Sequence, residues 1–157
     1  DQVGNIVNRQ QIWLLPPRAD VPTEREDILK GVQVEIARLA LLDVANMPAW
    51  LRDGLASYEA RLWNDARQQF MRGMVAMRRI TSLRALEGAT YNYLGGAVTA
   101  HTVVDYFVST YGAVALPTLV ESMMTQPFDQ ALQRSTGATL AAFDRGWIAY
   151  INSTFGR

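Results

Sequence analysis

The stretch MPAWLRDGLASY, residues 47 to 58, decides the fold of this chain. We expect a helix here, because the side-chain oxygen of Asn46 can cap its first turn and Pro48 has no N–H that would need a partner there. Apolar side chains then recur every three or four positions and form one buried stripe: Trp50, Leu51, Leu55, Tyr58 and Leu62. A buried amphipathic helix at this place favours a mainly helical domain.

Upstream of this helix, the pattern changes from extended to helical. Residues 11 to 15 are apolar and are followed by two prolines, which is typical of a short strand. Thr23 and Glu26 have the spacing of a capping box, so a helix should begin there and run to about Asp43. Apolar residues lie on nearly every side of that helix, which predicts that it is buried in the middle of the domain: Ile28, Leu29, Val32, Val34, Ile36, Leu39, Leu41 and Leu42.

Further helical segments are predicted downstream. They run through Phe70, Met74 and Met77 toward a terminator at Gly88, then over residues 98–111, 116–124 and 128–134, and finally from the capping residue Thr139 through Leu140, Phe143, Trp147, Ile148 and Ile151. Gly112 should end the helix over 98–111, since glycine tolerates the left-handed conformation at a helix end. The predicted fold class is mainly α (α+β), a multi-helix domain with one short N-terminal strand or hairpin.

The chain of 157 residues is predicted to be a single domain. Residues 1–22 are expected to be extended and residues 23–157 helical, in a segment excised from a longer protein. Fifteen basic residues balance fifteen acidic ones, so the chain lacks the excess positive charge that nucleic acids and anionic membranes attract. No apolar run approaches the roughly 20 residues needed to span a bilayer. Cysteine is absent, which excludes disulfides and thiolate metal sites and leaves the compartment open.

The stretch at residues 47–58 also resembles a segment of known enzymes. Its order Pro-x-Trp-Leu-x-Asp-Gly-x-Ala-x-Tyr is similar to the P-x-W-L-x-E-G-x-A-x-Y segment of gluzincin zinc metallopeptidases, particularly the peptidase MA-like group. In that family the Glu of the segment is the third zinc ligand, and a helix bearing H-E-x-x-H lies shortly upstream. Segments at residues 91–93, 103–107 and 137–147 are similar to the family's helical tail. The resemblance covers about residues 10 to 155 and implies a zincin-like helical domain.

The resemblance also implies that the zinc site has been lost. Alignment with H-E-x-x-H gives Val34-Glu35-Ile36-Ala37-Arg38, where both histidines are replaced. A catalytic zinc of this type needs two imidazoles and a carboxylate, whereas the chain has one histidine, His101. A metal would be repelled by the permanent cation of Arg38, and Asp53 is shorter than the family's Glu. We therefore expect no zinc, no other cofactor and a vestigial site made of Val34, Glu35, Arg38 and Asp53.

Glu35 and Arg38 are three residues apart and lie on one helix face. We hypothesise that the Arg38 guanidinium takes the place of the metal and pairs with Asp53, with Glu35 close by. The alternative is that Glu35 and Arg38 form an ordinary solvated pair. An alternative function is an active, metallopeptidase-like hydrolase that uses Glu35 and Asp53 as paired carboxylates. Arg38 counts against that function, because a nearby cation lowers the pKa of a carboxylic acid.

The function predicted first is a catalytically inactive metallopeptidase-like domain that serves as a binding or scaffold module. Its partner is expected to be a peptide, a protein or the upstream domain of the same protein, and no nucleic acid is expected. His101 is expected to be a packed or hydrogen-bonded helix residue. For Tyr91 and Tyr93 aromatic packing is expected, and the alternative is that one of them lines the former cleft.

Overall fold

The computed structural model describes residues 6–8, 11–13 and 25–156. Two antiparallel paired strands, β1 (Ile6–Asn8) and β2 (Gln11–Trp13), lie at the beginning of this part of the chain. Seven α-helices follow: α1 (Arg25–Ala40), α2 (Ala49–Glu59), α3 (Asp65–Ala76), α4 (Ala97–Tyr111), α5 (Ala115–Ser122), α6 (Phe128–Thr136) and α7 (Leu140–Phe155). The predicted mainly α fold class is confirmed. The organisation as a single domain stays a prediction.

Two helix limits lie where the capping pattern predicted them. Gly112 follows the last residue of α4 with φ 85°, a backbone conformation that glycine adopts without a steric cost. The Thr139 hydroxyl accepts a hydrogen bond from the Ala142 N–H at 3.3 Å and so caps the first turn of α7. Local side-chain chemistry was therefore sufficient to predict both limits.

The prediction that the first helix is buried in the middle of the domain is wrong. Leu29 and Ile36 of α1 are 51% and 54% exposed, and α1 ends at Ala40 rather than near Asp43. The physical reason is that α1 packs mainly on one side, against α2, so its other apolar side chains remain accessible. The proposed cap at Thr23 and the last two residues of the predicted strand, 14–15, lie outside the described residues.

Two other predicted limits are also wrong. Asn46 does not cap α2, because its Nδ2 donates to the Met123 carbonyl at 3.1 Å and Pro48 takes the N-cap position. The helix predicted to reach Gly88 ends at Ala76. Three short 3-10 turns occupy the stretch that follows, at Leu83–Leu86, Gly88–Thr90 and Asn92–Leu94.

The centre of the fold is the contact between α2 and α4. Gly54 of α2 faces the backbone of Ala100 in α4, and a Cβ atom at position 54 would lie 2.6 Å from the Ala100 carbonyl oxygen. The two backbones can approach this closely because glycine has no side chain. Both helices also contribute buried side chains to the hydrophobic core: Trp50, Leu51 and Leu55 from α2, and Val103, Val104 and Phe107 from α4. This packing brings Ser57 of α2 beside His101 of α4.

Candidate functional site

Arg38 joins α1 to α2 through its guanidinium. Its Nε donates to Asp53 Oδ1 at 3.0 Å, its Nη2 lies 2.9 Å from the same oxygen, and its Nη1 donates to Glu35 Oε1 at 2.9 Å. Glu35 is buried, whereas Arg38 is partly exposed. The predicted pairing of Arg38 with Asp53 is confirmed, and the alternative of an ordinary solvated Glu35–Arg38 pair is wrong.

Tyr91 completes this cluster from the turn that precedes α4. Its hydroxyl donates to Asp53 Oδ2 at 2.8 Å. Burial raises the pKa of Tyr91 and the hydrogen bond to Asp53 raises it further, so the phenol stays protonated and remains a donor. We call Glu35, Arg38, Asp53 and Tyr91 the Arg38 cluster. Its hydrogen bonds connect three elements, which is the pattern of a group that holds helices in position.

Tyr91 also packs against the hydrophobic core, as expected. The same expectation is wrong for Tyr93, which is 86% exposed. The 3-10 turn at Asn92–Leu94 explains the difference, because it directs Leu94 into the core and leaves Tyr93 in solvent.

The Arg38 cluster does not include Val34, the remaining member of the predicted vestigial site. Val34 is partly buried and lines a separate cavity. Within residues 6–8, 11–13 and 25–156, no group of three His, Asp or Glu side chains is arranged to hold a metal ion. The predicted absence of zinc and of other cofactors stays a prediction.

A second polar group lies between α2, α3 and α4. Ser57 Oγ is 3.0 Å from His101 Nδ1, and Arg67 Nη1 donates to the same Oγ at 2.7 Å. Ser57 and His101 are both buried. The expectation that His101 is a hydrogen-bonded helix residue is confirmed. Sequence reasoning missed Ser57 and Arg67, because no sequence pattern connects Ser57 with a partner 44 positions away.

Two cavities lie beside this group and share Arg61 and Trp63. The first, here called the histidine pocket, has a volume of about 470 Å³ and is lined by Tyr58, Glu59, Arg61, Trp63, His101 and Asp105. The second, here called the arginine pocket, has a volume of about 350 Å³, and its polar lining consists of Asp27, Lys30, Arg61, Asn64 and Arg67, together with the Trp63 indole. Arg61 takes a left-handed backbone conformation, φ 50°, in the turn after α2. This turn places one side chain beside both cavities.

No family model matches the chain, and no solved structure matches it significantly. Among curated proteins, it is similar to the mitochondrial citrate transporter B of Aspergillus niger, with 26% identity over 161 residues. The match covers 99% of this chain and 55% of the transporter, so the chain spans about half the length of that relative. A likeness at this level of identity does not assign the chain to a family.

These comparisons correct the sequence-based identification. The resemblance to gluzincin metallopeptidases is wrong, since no family model supports it and the curated relative is a transporter. The predicted function, a metallopeptidase-like domain in either an inactive or an active form, is wrong for the same reason. The zincin-like description of the helical domain is wrong for the same reason.

The residues that carried the resemblance have roles in packing. Pro48 precedes the first turn of α2, and the Trp50 ring packs edge-on against Phe128 with ring centroids 5.4 Å apart. Gly54 allows the close approach to Ala100. A segment with proline, tryptophan and glycine at this spacing can therefore arise from the demands of helix packing without any metal chemistry.

In the part of the chain that the structure describes, no helix combines the length and the apolar character that crossing a membrane requires.

Proposed function

We propose that this chain binds a small anionic molecule, one that carries carboxylate or phosphate groups, in the arginine pocket. Arg67 carries the proposal. Its guanidinium is partly buried, and the Ser57 hydroxyl is its one side-chain hydrogen-bonding partner among the described residues. Burial lowers the pKa of Arg67, yet an arginine keeps its charge in a protein. A partly desolvated cation with a neutral partner favours an anionic ligand as its counterion.

The charges around Arg67 support the same ligand class. The arginine pocket is lined by three cations, Lys30, Arg61 and Arg67, and by one carboxylate, Asp27. Lys30 also forms an ion pair with Glu26 on the surface of α1, at 2.7 Å. The planar donor fork of an arginine matches the two oxygens of a carboxylate or a phosphate. The excess of cations in this cavity therefore suits an anion better than a neutral molecule.

The size of the cavity and the curated relative together guide the choice of the first probe. A volume of about 350 Å³ is at the lower end of the range of roughly 300–1,000 Å³ that is usual for small-molecule sites. The relative is named for citrate, a tricarboxylate. Citrate is accordingly the first anion to test, with inorganic phosphate as the second.

The change Arg67→Gln should weaken the binding of citrate or phosphate by about ten-fold or more, because a hydrogen bond to a charged group contributes roughly 1.5–3 kcal/mol. Isothermal titration calorimetry at low ionic strength measures this effect. Arg72→Gln is the matched control, since Arg72 is exposed on the same helix and lies outside the pocket, while the net charge changes equally. Equal losses in both variants, or no saturable binding of either anion in the millimolar range, would contradict the proposal.

A second candidate function is the binding of a protein partner through α1. Leu29 and Ile36 are about half exposed and are seven residues apart, so they lie on the same face of the helix. An apolar face of this kind is typical of a contact surface. It supports the protein partner predicted from the sequence.

If the partner is a second copy of this chain, the protein alone should associate with itself as its concentration rises. Ile36→Lys should shift the association to higher concentration, because it places a charge in the centre of the apolar face. Analytical ultracentrifugation measures the change. Leu140→Lys is the control, since Leu140 is also exposed but lies at the start of α7. A monomer at every concentration would rule out this form of partner binding.

A further inference from the structure

We propose that the histidine pocket binds a small zwitterion, a molecule that carries both an ammonium and a carboxylate group, such as an α-amino acid. This site differs from the arginine pocket, with which it shares Arg61 and Trp63, in having His101, Glu59 and Asp105 in its lining. His101 is 5% exposed and its ring lines the cavity. Nδ1 is bonded to Ser57, whereas Nε2 forms no hydrogen bond with another residue that the structure describes. A ring nitrogen without a protein partner, on a residue that lines a cavity, is available for a hydrogen bond with a ligand.

The hydrogen bonds behind the ring determine which nitrogen carries the proton. Arg67 can only donate, so Ser57 Oγ must accept the Arg67 hydrogen bond. The Ser57 hydroxyl hydrogen is then free to be donated to His101 Nδ1. Burial lowers the pKa of His101, and the Arg67 charge lowers it as well. Together they outweigh the Asp105 charge and the Ser57 hydrogen bond, which raise it, so the ring is neutral at neutral pH. A neutral imidazole that accepts at Nδ1 carries its hydrogen at Nε2, so Nε2–H is a donor for a ligand in the pocket.

The other polar side chains of the pocket match the two charges of a zwitterion. Glu59 and Asp105 supply carboxylates for an ammonium group, and Asp105 is already held in place by the Tyr150 hydroxyl. Arg61 supplies a cation that can share the ligand's carboxylate with His101 Nε2–H. An anion without an ammonium group would meet the negative charges of two carboxylates here. A simple cation would leave His101 and Arg61 without an acceptor.

Aromatic rings line the same cavity and favour an ammonium ligand. The Trp63 ring is tilted by 30° relative to the His101 ring, with ring centroids 4.9 Å apart. The Tyr58 ring lies 5.6 Å from His101. The face of a tryptophan or tyrosine ring attracts a cation placed over it. The volume of about 470 Å³ is within the range of roughly 300–1,000 Å³ usual for small-molecule sites.

The test uses the fact that the chain contains a single histidine. Long-range ¹H–¹⁵N correlation spectra of the ¹⁵N-labelled chain therefore show the imidazole nitrogens of His101 alone. In the free protein we expect the pattern of a neutral ring with its hydrogen at Nε2. Titration with L-leucine, L-glutamate, L-lysine and L-phenylalanine should shift the Nε2 resonance saturably for at least one of them. The N-acetyl derivative and the carboxamide of the amino acid that binds each lack one charge. Their affinity should be lower by about ten-fold or more.

Two substitutions of His101 separate ligand binding from folding. His101→Gln keeps an amide N–H near the position of Nε2, whereas His101→Asn keeps a polar group near Nδ1 and removes the donor to the cavity. Calorimetry should show a loss of about ten-fold or more for His101→Asn and a smaller loss for His101→Gln. Circular dichroism reports whether each variant is folded.

Three results would overturn the zwitterion site. They are a free-state spectrum with the hydrogen at Nδ1, no response of Nε2 to any of the four amino acids in the millimolar range, and equal binding of the singly charged derivatives. Binding of citrate or phosphate that depends on Arg67 would survive all three, because that anion site belongs to the arginine pocket. The failure of the zwitterion site can therefore be distinguished from the failure of the anion site.

Discussion

Gly54→Ala is expected to lower the free energy of unfolding by about 1–3 kcal/mol, the usual cost of forcing extra volume into a packed contact. The added Cβ would lie 2.6 Å from the Ala100 carbonyl oxygen. Because the obstacle is a backbone atom, α2 and α4 must move apart as units. The loss exceeds the gain of up to about 1 kcal/mol that alanine brings to a helix interior. Chemical denaturation monitored by circular dichroism measures it.

Gly73→Ala is the matched control for this change. Gly73 also lies inside a helix, α3, but a Cβ atom there would meet nothing within 4 Å. We expect Gly73→Ala to raise the free energy of unfolding by up to about 1 kcal/mol. The two substitutions are chemically identical, so opposite signs isolate the contact with Ala100. If Gly54→Ala were as stable as the unchanged chain, the close crossing of α2 and α4 would not be required by the fold.

Asp53→Ala is expected to lower the free energy of unfolding by about 1–3 kcal/mol, the usual cost of leaving polar partners unsatisfied. The change removes the acceptor of the Arg38 guanidinium and of the Tyr91 hydroxyl. A fully buried pair would lose about 3–5 kcal/mol, but the side chains of Arg38 and Asp53 are 34% and 24% exposed, so water replaces part of the lost interaction. Chemical denaturation at neutral pH measures the loss.

Two variants show whether the loss comes from charge or from hydrogen bonding. Asp53→Asn retains one side-chain acceptor and removes the charge, so its loss should be smaller than that of Asp53→Ala. Glu26→Gln breaks an exposed ion pair with Lys30 on the same helix as Arg38, and we expect no measurable change. A neutral result for Asp53→Ala would mean that the Arg38 cluster contributes nothing to holding α1 against α2.

Much of the helical framework could be predicted from local patterns. Gly112 and Thr139 end and begin helices through interactions within one turn, so both limits follow from the residues themselves. The limits at Asn46 and Gly88 were wrong, and at Asn46 the reason is a distant contact that competes with local preference. The Asn46 side chain bonds to Met123, 77 positions away.

The candidate site also contains one contact that follows from local spacing and one that depends on distant residues. The pairing of Arg38 with Glu35 follows from helical spacing, and its pairing with Asp53 was predicted through a family resemblance that proved wrong. The resemblance depended on the spacing of Pro48, Trp50 and Gly54, which the packing of α2 explains. A short motif can thus predict a contact correctly while misidentifying the protein. The same spacing is found where a family places a zinc ligand and where two helices pack closely.

The sequence by itself determined that the chain is mainly helical, because the three-to-four spacing of apolar residues and the capping residues act over one or two turns. The tertiary structure alone decided that α1 is peripheral, since exposure depends on which neighbours are present. It also decided that Ser57, Arg67 and His101 meet beside two cavities. Those contacts join residues from three helices, and the free energy that brings them together comes from the whole core and from no single segment.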